Sequence, residues 1–148
     1  MRVYVDTSVF GGCFDHEFEE WSVKFFELVA TGKYNVVISD VSEDELKDAP
    51  EPVRQIVKEI PRKQLEIIKL TDKAKALAHA YVKERIVTPK SQADTEHIAI
   101  ATIARVDLLV SWNFKHIVNY DRIRLYNAVN LKLGYGLLEI RSPRELTT

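Results

Sequence analysis

Cysteine is nearly missing from this chain. Cys13 is the only one among 148 residues, so no intrachain disulfide and no cysteine-rich zinc site can form, and Cys13 is not read as a nucleophile. Neither charge is in excess: 21 Lys and Arg stand against 22 Asp and Glu, a net charge of −1. A bulk basic footprint for nucleic acid is therefore absent, and any such contact needs a local patch. Long apolar runs are missing as well. The longest, residues 98–104, is far too short to cross a bilayer, so no membrane partner is expected. The opening MRVYVDTS has no basic-then-apolar leader, and a reducing, cytoplasmic setting is the expectation. No GxxxxGK or GxGxxG occurs, which disfavours enzymes built on a phosphate-cradling loop. What remains is 46% hydrophobic and 29% charged, the balance of an ordinary globule. Residues 1–148 are expected to form a single domain with a core of its own.

Short β-branched and apolar runs alternate with helical spacing. Strands are expected at residues 3–5, 36–39, 65–70, 107–111 and 137–140. Helices are expected at residues 18–31, closed by Gly32, and from Ser42 until Pro50 and Pro52 interrupt. Others should follow at 53–60, at 72–85 behind a Thr71 cap, from Ser91 through Arg105, and at 121–133 up to Gly134. Ser142-Pro143 should start a terminal turn. This order predicts an α/β fold with a mostly parallel sheet and helices on both faces.

In open parallel sheets the chemistry gathers beyond the carboxyl ends of the strands. Asp6 ends the first strand, and Asn113 lies just past the strand at 107–111. Glu45 and Asp94 occupy first turns of helices whose N-termini return to that edge. Asp107 begins its strand and belongs to the opposite edge. Three carboxylates and an amide oxygen are hard ligands suited to Mg²⁺ or Mn²⁺. Like charges held together call for a cation, and the chemistry that uses such a centre is phosphodiester hydrolysis. Each residue also has a plainer reading. Ser42-x-x-Glu45 is a capping box and Ser91-x-x-Asp94 its aspartate version; Asp6 can form a strand-end turn; Asn113 can be a loop residue.

The segments VYVDTSVF, ISDVSEDEL and ADTEHIAIATIARVDLLVSWNFKHIVN resemble the PIN-domain ribonucleases, in the branch that includes VapC-type toxins of toxin–antitoxin pairs. The resemblance covers nearly the whole chain, and residues 94–119 carry its most specific part. It implies a PIN-like three-layer α/β/α fold and a Mg²⁺- or Mn²⁺-dependent endoribonuclease. It also implies RNA as substrate and a cognate antitoxin protein as partner. Carried over position by position, the family's acids fall on Asp6, Glu45 and Asp94, the metal ligands. Its fourth position, usually Asp, is Asn113 here, which leaves three negative charges and makes a first ion the expectation. The hydroxyl two residues after the first acid is Ser8, a candidate holder of a metal-bound water.

Glu43 and Asp44 compete with Glu45, but successive helical residues point about 100° apart, so all three cannot face one ion. Glu96 should face away for the same reason. His97 shares the Asp94 face and either supports the site or is a half-buried, hydrogen-bonded histidine. Lys115 and His116 either touch RNA phosphates or are solvated. Trp112 either stacks on a base or anchors a loop. Arg122, Arg124, Lys132, Arg141 and Arg144 make the C-terminal third basic, as a phosphate-tracking strip or a solvated face. An aspartyl-phosphate phosphatase would want a second Asp where Ser8 stands. Trp21 and Phe25 give their helix more apolar surface than one face requires, which points to a homodimer. The alternative to a nuclease is a catalytically degenerate module that uses the same edge to bind RNA or protein.

Overall fold

Five short strands share one sheet: β1 (Arg2–Val5), β2 (Asn35–Ser39), β3 (Leu65–Ile68), β4 (Leu108–Val110) and β5 (Ile140–Arg141). Their order is β3-β2-β1-β4-β5, and every pair is parallel. Parallel neighbours need crossovers, supplied by α1 (Thr7–Gly12), α2 (Glu19–Ala30), α3 (Asp40–Lys47), α4 (Glu51–Glu59), α5 (Asp72–Lys83), α6 (Gln92–Ile103) and α7 (Tyr120–Lys132), with α8 (Pro143–Thr147) closing the described chain. The structure is a computed structural model and describes residues 1–147.

Side chains on a strand alternate between faces. Val3 and Val5 turn to one layer, with Val9, Phe10, Phe25, Val29 and Val53 from the helices; Tyr4 turns to the other, with Leu77, Tyr81, Ile98 and Tyr126. Both faces are covered, which is why the strands read as continuous apolar runs. The three-layer α/β/α architecture is the one the sequence predicts. The chain moves outward from β1 through β2 to β3 and then returns to β4 on the far side of β1. The loops after β1 and β4 therefore diverge at one point of the carboxyl edge, where a crevice opens.

Several boundaries differ from the sequence reading. Helix α1 follows Asp6 at once, although Thr7, Ser8, Gly11 and Gly12 are weak helix formers; burial of Val9 and Phe10 holds it. The last strand is only Ile140–Arg141, and Leu137, 69% exposed, stays outside the sheet. The terminal turn continues as α8, with the Ser142 amide donating to Glu145 Oε2 at 3.0 Å. The cap of α3 is Ser39 rather than Ser42. Ser39 Oγ accepts from the Ser42 amide, and Ser42 Oγ accepts from the Ser39 amide at 3.1 Å, a reciprocal capping box.

Helix α2 turns most of its apolar surface into the chain. Phe25 and Val29 are buried, Trp21 packs beside Trp112, and the Arg144 guanidinium lies 4.9 Å from the Trp21 ring centre. Trp21 and Phe25, the residues that pointed to a homodimer, thus pack within the chain, while Val23 stays 43% exposed. At the opposite edge of the sheet, Asp107 accepts from the Arg2 amide at 2.7 Å, and the Arg2 guanidinium grips Glu66 at 3.0 and 2.8 Å.

Trp112 anchors the loop after β4. It is buried, stacks on Phe18 at 4.2 Å, and donates from Nε1 to Ser22 Oγ at 2.8 Å. Gly12 makes this possible: a Cβ there would sit 2.5 Å from Ser22 Oγ and 2.6 Å from Trp112 Nε1. An indole wedged this way cannot yield cheaply. Gly12→Ala is expected to cost about 1–3 kcal/mol by overpacking and to red-shift Trp112 emission as the ring is displaced. Unchanged emission and denaturation midpoint would show that the loop absorbs the methyl.

Candidate metal centre

Asp6 is held from two sides. Its amide donates to the Val110 carbonyl at 3.0 Å, extending the sheet by one bond. Its carboxylate is buried, and Oδ2 accepts hydroxyls from Ser8 at 2.6 Å and Ser111 at 2.8 Å. Both donors meet one oxygen, so Oδ1 is left toward the crevice, 3.8 Å from His97 Nε2. Ser8 also accepts from the Trp112 amide at 3.0 Å. It thereby links the loop after β1 to the loop after β4.

Glu45 reaches the same point from α3. Since Ser39 caps that helix, Glu45 lies a turn beyond the capping box and takes no part in it. Its Oε1 is 2.5 Å from His97 Nε2 and accepts from Thr7 Oγ1 at 3.3 Å. Glu43 and Asp44 are exposed, and Asp44 pairs with Lys47 at 3.1 Å. Of the three, Glu45 is the one that lines the crevice. Glu96 lines a different cavity, with Lys75 and His79.

His97 is fully buried rather than half-buried. Nε2 faces Glu45 and Asp6, and Nδ1 lies 2.7 Å from the Tyr4 hydroxyl, itself 2.7 Å from Ser39 Oγ. Burial pulls the imidazole pKa down. The hydrogen bond to Glu45 and the charges of Asp6, Glu45 and Asp94 outweigh it, and the net direction is up. Burial drives the Tyr4 hydroxyl well above its ordinary value, so it remains a neutral donor and acceptor. Cys13 lies away from this network with its thiol pushed up to about 11 by burial, an inert position.

Asp94 stands in the first turn of α6 and lines the crevice with Asp6, Ser8, Glu45 and Asn113, a space of about 370 Å³. Ser91 precedes it at the helix start, but the Ser91 side chain makes no cap bond. Burial raises the Asp94 pKa first and the charge of Asp6 raises it further, while His116, His97 and a hydrogen bond from Asn113 lower it in part. Asn113 Oδ1 accepts from the His116 amide at 2.9 Å. Its oxygen is committed to the loop, and what it offers Asp94 is its NH₂ group. Lys115 is exposed on that loop, with no ion pair among the described residues; His116 is partly buried, and its Nδ1 has no hydrogen-bond partner among them.

Asp6, Glu45 and His97 each bring one ligand atom within 4.8 Å of the other two. Asp94 shares the crevice but is outside that tightest group. No lysine or arginine pairs with any of these three carboxylates among the described residues. Hard oxygens, one imidazole and three carboxylates without a lysine or arginine partner fit a divalent cation. Sequence reasoning did not single out Tyr4, Ser39, Thr7 or Ser111, and it read Ser42 only as a helix cap. A tyrosine amid β-branched strand residues was the one local signal, since a buried hydroxyl needs a partner.

No protein-family pattern and no curated protein matches the sequence. Solved structures do match in fold. A chain of VapBC2 from Rickettsia felis, bound to a DNA fragment from its promoter, aligns with a TM-score of 0.62 at 15% identity over 96% of this chain and 98% of its own. FitAcB from Neisseria gonorrhoeae aligns with a TM-score of 0.59 at 12% identity, again over 96% and 98%. A toxin–antitoxin complex from Klebsiella pneumoniae aligns with a TM-score of 0.54 at 17% identity over 77% and 88%. At these identities the likeness is one of fold, and it is the PIN-like α/β fold with an all-parallel central sheet.

Proposed function

We propose that the protein is a divalent-metal-dependent endoribonuclease, with Asp6, Glu45 and Asp94 holding Mg²⁺ or Mn²⁺, and that it acts as the toxin of a toxin–antitoxin pair. The observation that carries the reading is the convergence of three carboxylates, Asp6 after β1, Glu45 on α3 and Asp94 on α6, on one crevice with no lysine or arginine paired to them among the described residues. A decayed binding module would have no chemical reason to keep their repulsion. The fold neighbours described as VapBC2 and as a toxin–antitoxin complex support a small protein partner.

A divalent ion bound there supplies an acidified water and positive charge for the scissile phosphate. The chain's own groups do the rest. Ser8 and Ser111 fix the Asp6 carboxylate through Oδ2. Ser8 and Asp94 border the space where a water would attack. Asn113 orients Asp94 and holds the loop that carries Lys115 and His116 toward the RNA backbone. Trp112, buried and hydrogen-bonded to Ser22, anchors that loop and does not stack on bases. Cleavage of single-stranded RNA should require Mn²⁺ or Mg²⁺ and cease in EDTA. Cleavage that persists in EDTA, or none under either metal, would contradict the reading.

Asp94→Asn tests the acid with the largest electrostatic burden. Its pKa is raised on folding, so the folded state is stabilised by protonation and weakened as pH rises through that raised value. At neutral pH, in EDTA, Asp94→Asn should therefore melt above wild type. The difference should vanish as acid protonates Asp94. The same variant should lose RNA cleavage. Wild-type activity in it would remove Asp94 from the catalytic set.

Asn113→Asp restores a fourth charge beside Asp94. It should melt below wild type in EDTA and show the larger rise on addition of Mn²⁺, because ligand binding to the native state stabilises by mass action. Equal Mn²⁺-induced shifts in the two proteins would put Asn113 beyond the ion's influence.

A further inference from the structure

The centre contains a nitrogen that an all-carboxylate reading omits. We propose that His97 Nε2 is a direct ligand of the divalent ion, beside Asp6 and Glu45, and that it makes the site prefer Mn²⁺ to Mg²⁺. The proposal rests on the metal-dependent reading above and assigns the residue that sets its ion preference.

Geometry comes first. Nε2 lies 3.8 Å from Asp6 Oδ1 and 2.5 Å from Glu45 Oε1, and the three donor atoms fall within 4.8 Å of one another. Neighbouring ligands of an octahedral ion with bonds of about 2.1 Å stand roughly 3 Å apart, and opposite ones roughly 4.2 Å. The cluster is thus near ligand spacing already. Two of its members are fixed: His97 is buried, and Asp6 is clamped by two hydroxyls. Glu45, whose side chain is 35% exposed, is the one free to adjust.

The second argument concerns the other face of the ring. A ligating Nε2 requires the imidazole proton on Nδ1, and metal-bound histidines usually donate that proton to an outer partner. Here the partner is Tyr4 Oη at 2.7 Å, which can accept the proton and turn its own hydrogen to Ser39 Oγ at 2.7 Å. Ser39 and Ser42 are hydroxyls that donate or accept. The buried chain Ser39–Tyr4–His97 therefore accommodates the ligating tautomer without leaving an unsatisfied group. A histidine with a purely structural role needs no carboxylates at Nε2, where a backbone carbonyl would serve at lower desolvation cost.

The chemical consequence follows from ligand type. Mg²⁺ keeps oxygen ligands and water and gains little from imidazole, whereas Mn²⁺ accepts mixed nitrogen and oxygen sets. Among carboxylates alone the two ions would be less well separated.

The test loads the full chain with Mn²⁺ and records electron spin-echo modulation, in which a directly bound imidazole gives nitrogen-14 coupling. Calorimetry measures Mn²⁺ and Mg²⁺ affinity in parallel. Wild type should show the coupling, His97→Gln should lose it, and the ratio of Mn²⁺ to Mg²⁺ affinity should fall roughly tenfold or more in that variant. Tyr4→Phe, which removes only the outer partner, should keep the coupling. The wild-type spectrum decides even if His97→Gln does not fold. Bound Mn²⁺ without nitrogen coupling, or an unchanged ratio in folded His97→Gln, overturns the proposal. Cleavage with Mn²⁺ but no coupling would sink the ligand assignment alone, and coupling without any RNA cleavage would sink the nuclease reading alone. Failure of wild type to bind Mn²⁺ at all overturns both.

Discussion

Electrostatic repulsion at the carboxyl edge of a parallel sheet is the constraint on which the rest of this structure depends. Parallel strands point one way, so Asp6 at the end of β1 meets helix starts returning to the same edge. Glu45 and Asp94 enter on those helices. Helix N-termini carry partial positive charge, which eases Asp94 in the first turn of α6; Glu45 lies in the second turn of α3. The effect is worth less than about 1 kcal/mol when exposed and does not cancel three neighbouring charges. The Asp94 pKa, raised by burial and by Asp6, records the residual strain. The protein meets it with hydroxyls on Asp6, an imidazole against Glu45 and an amide on Asp94 rather than with lysines or arginines. Such donors hold the carboxylates in place while leaving their charge available to a cation.

The cost of that arrangement is borne by packing on either side. Tyr4 ties the inner end of the polar chain to the layer that contains Leu77, Tyr81 and Tyr126. Trp112 ties the β4 loop to the opposite layer through Ser22 and Phe18. The two anchors come from β1 and from just beyond β4, the adjacent strands at which the chain changes direction across the sheet. Position at the crevice is therefore set by the most buried parts of the fold, while Phe114 and Lys115, on the loop beyond β4, stay exposed.

Much of this was legible in the sequence, for identifiable reasons. Strands β1, β2 and β4 are buried on both faces, and burial of that kind leaves an apolar run that needs no partner to be recognised. The edge position of Asp6 and the opposite position of Asp107 follow from strand direction alone. Helix α1 was not legible, because its residues are poor helix formers and only the burial of Val9 and Phe10 stabilises it. The cap of α3 was misplaced because Ser39 and Ser42 stand three residues apart and either can cap. The end of β2, set by pairing with β3, decides for Ser39. His97 was visible as a neighbour of Asp94 on one helix face. Its partners Tyr4 and Glu45 lie 93 and 52 positions away, and no local pattern connects them. Trp112 carried two readings in the sequence, and only its contact with Ser22 and the missing side chain of Gly12 separate an anchor from a stacking platform.

The central claim is that this edge is a divalent-metal centre built from Asp6, Glu45 and their neighbours. Crystals soaked in Mn²⁺ and measured above and below the manganese absorption edge test it directly. The account predicts one strong anomalous peak in the crevice, within bonding distance of Asp6 Oδ1 and Glu45, with Asp94 facing it. A map with no peak there at millimolar Mn²⁺, or with peaks only at surface carboxylates such as Glu43 and Asp44, would contradict it.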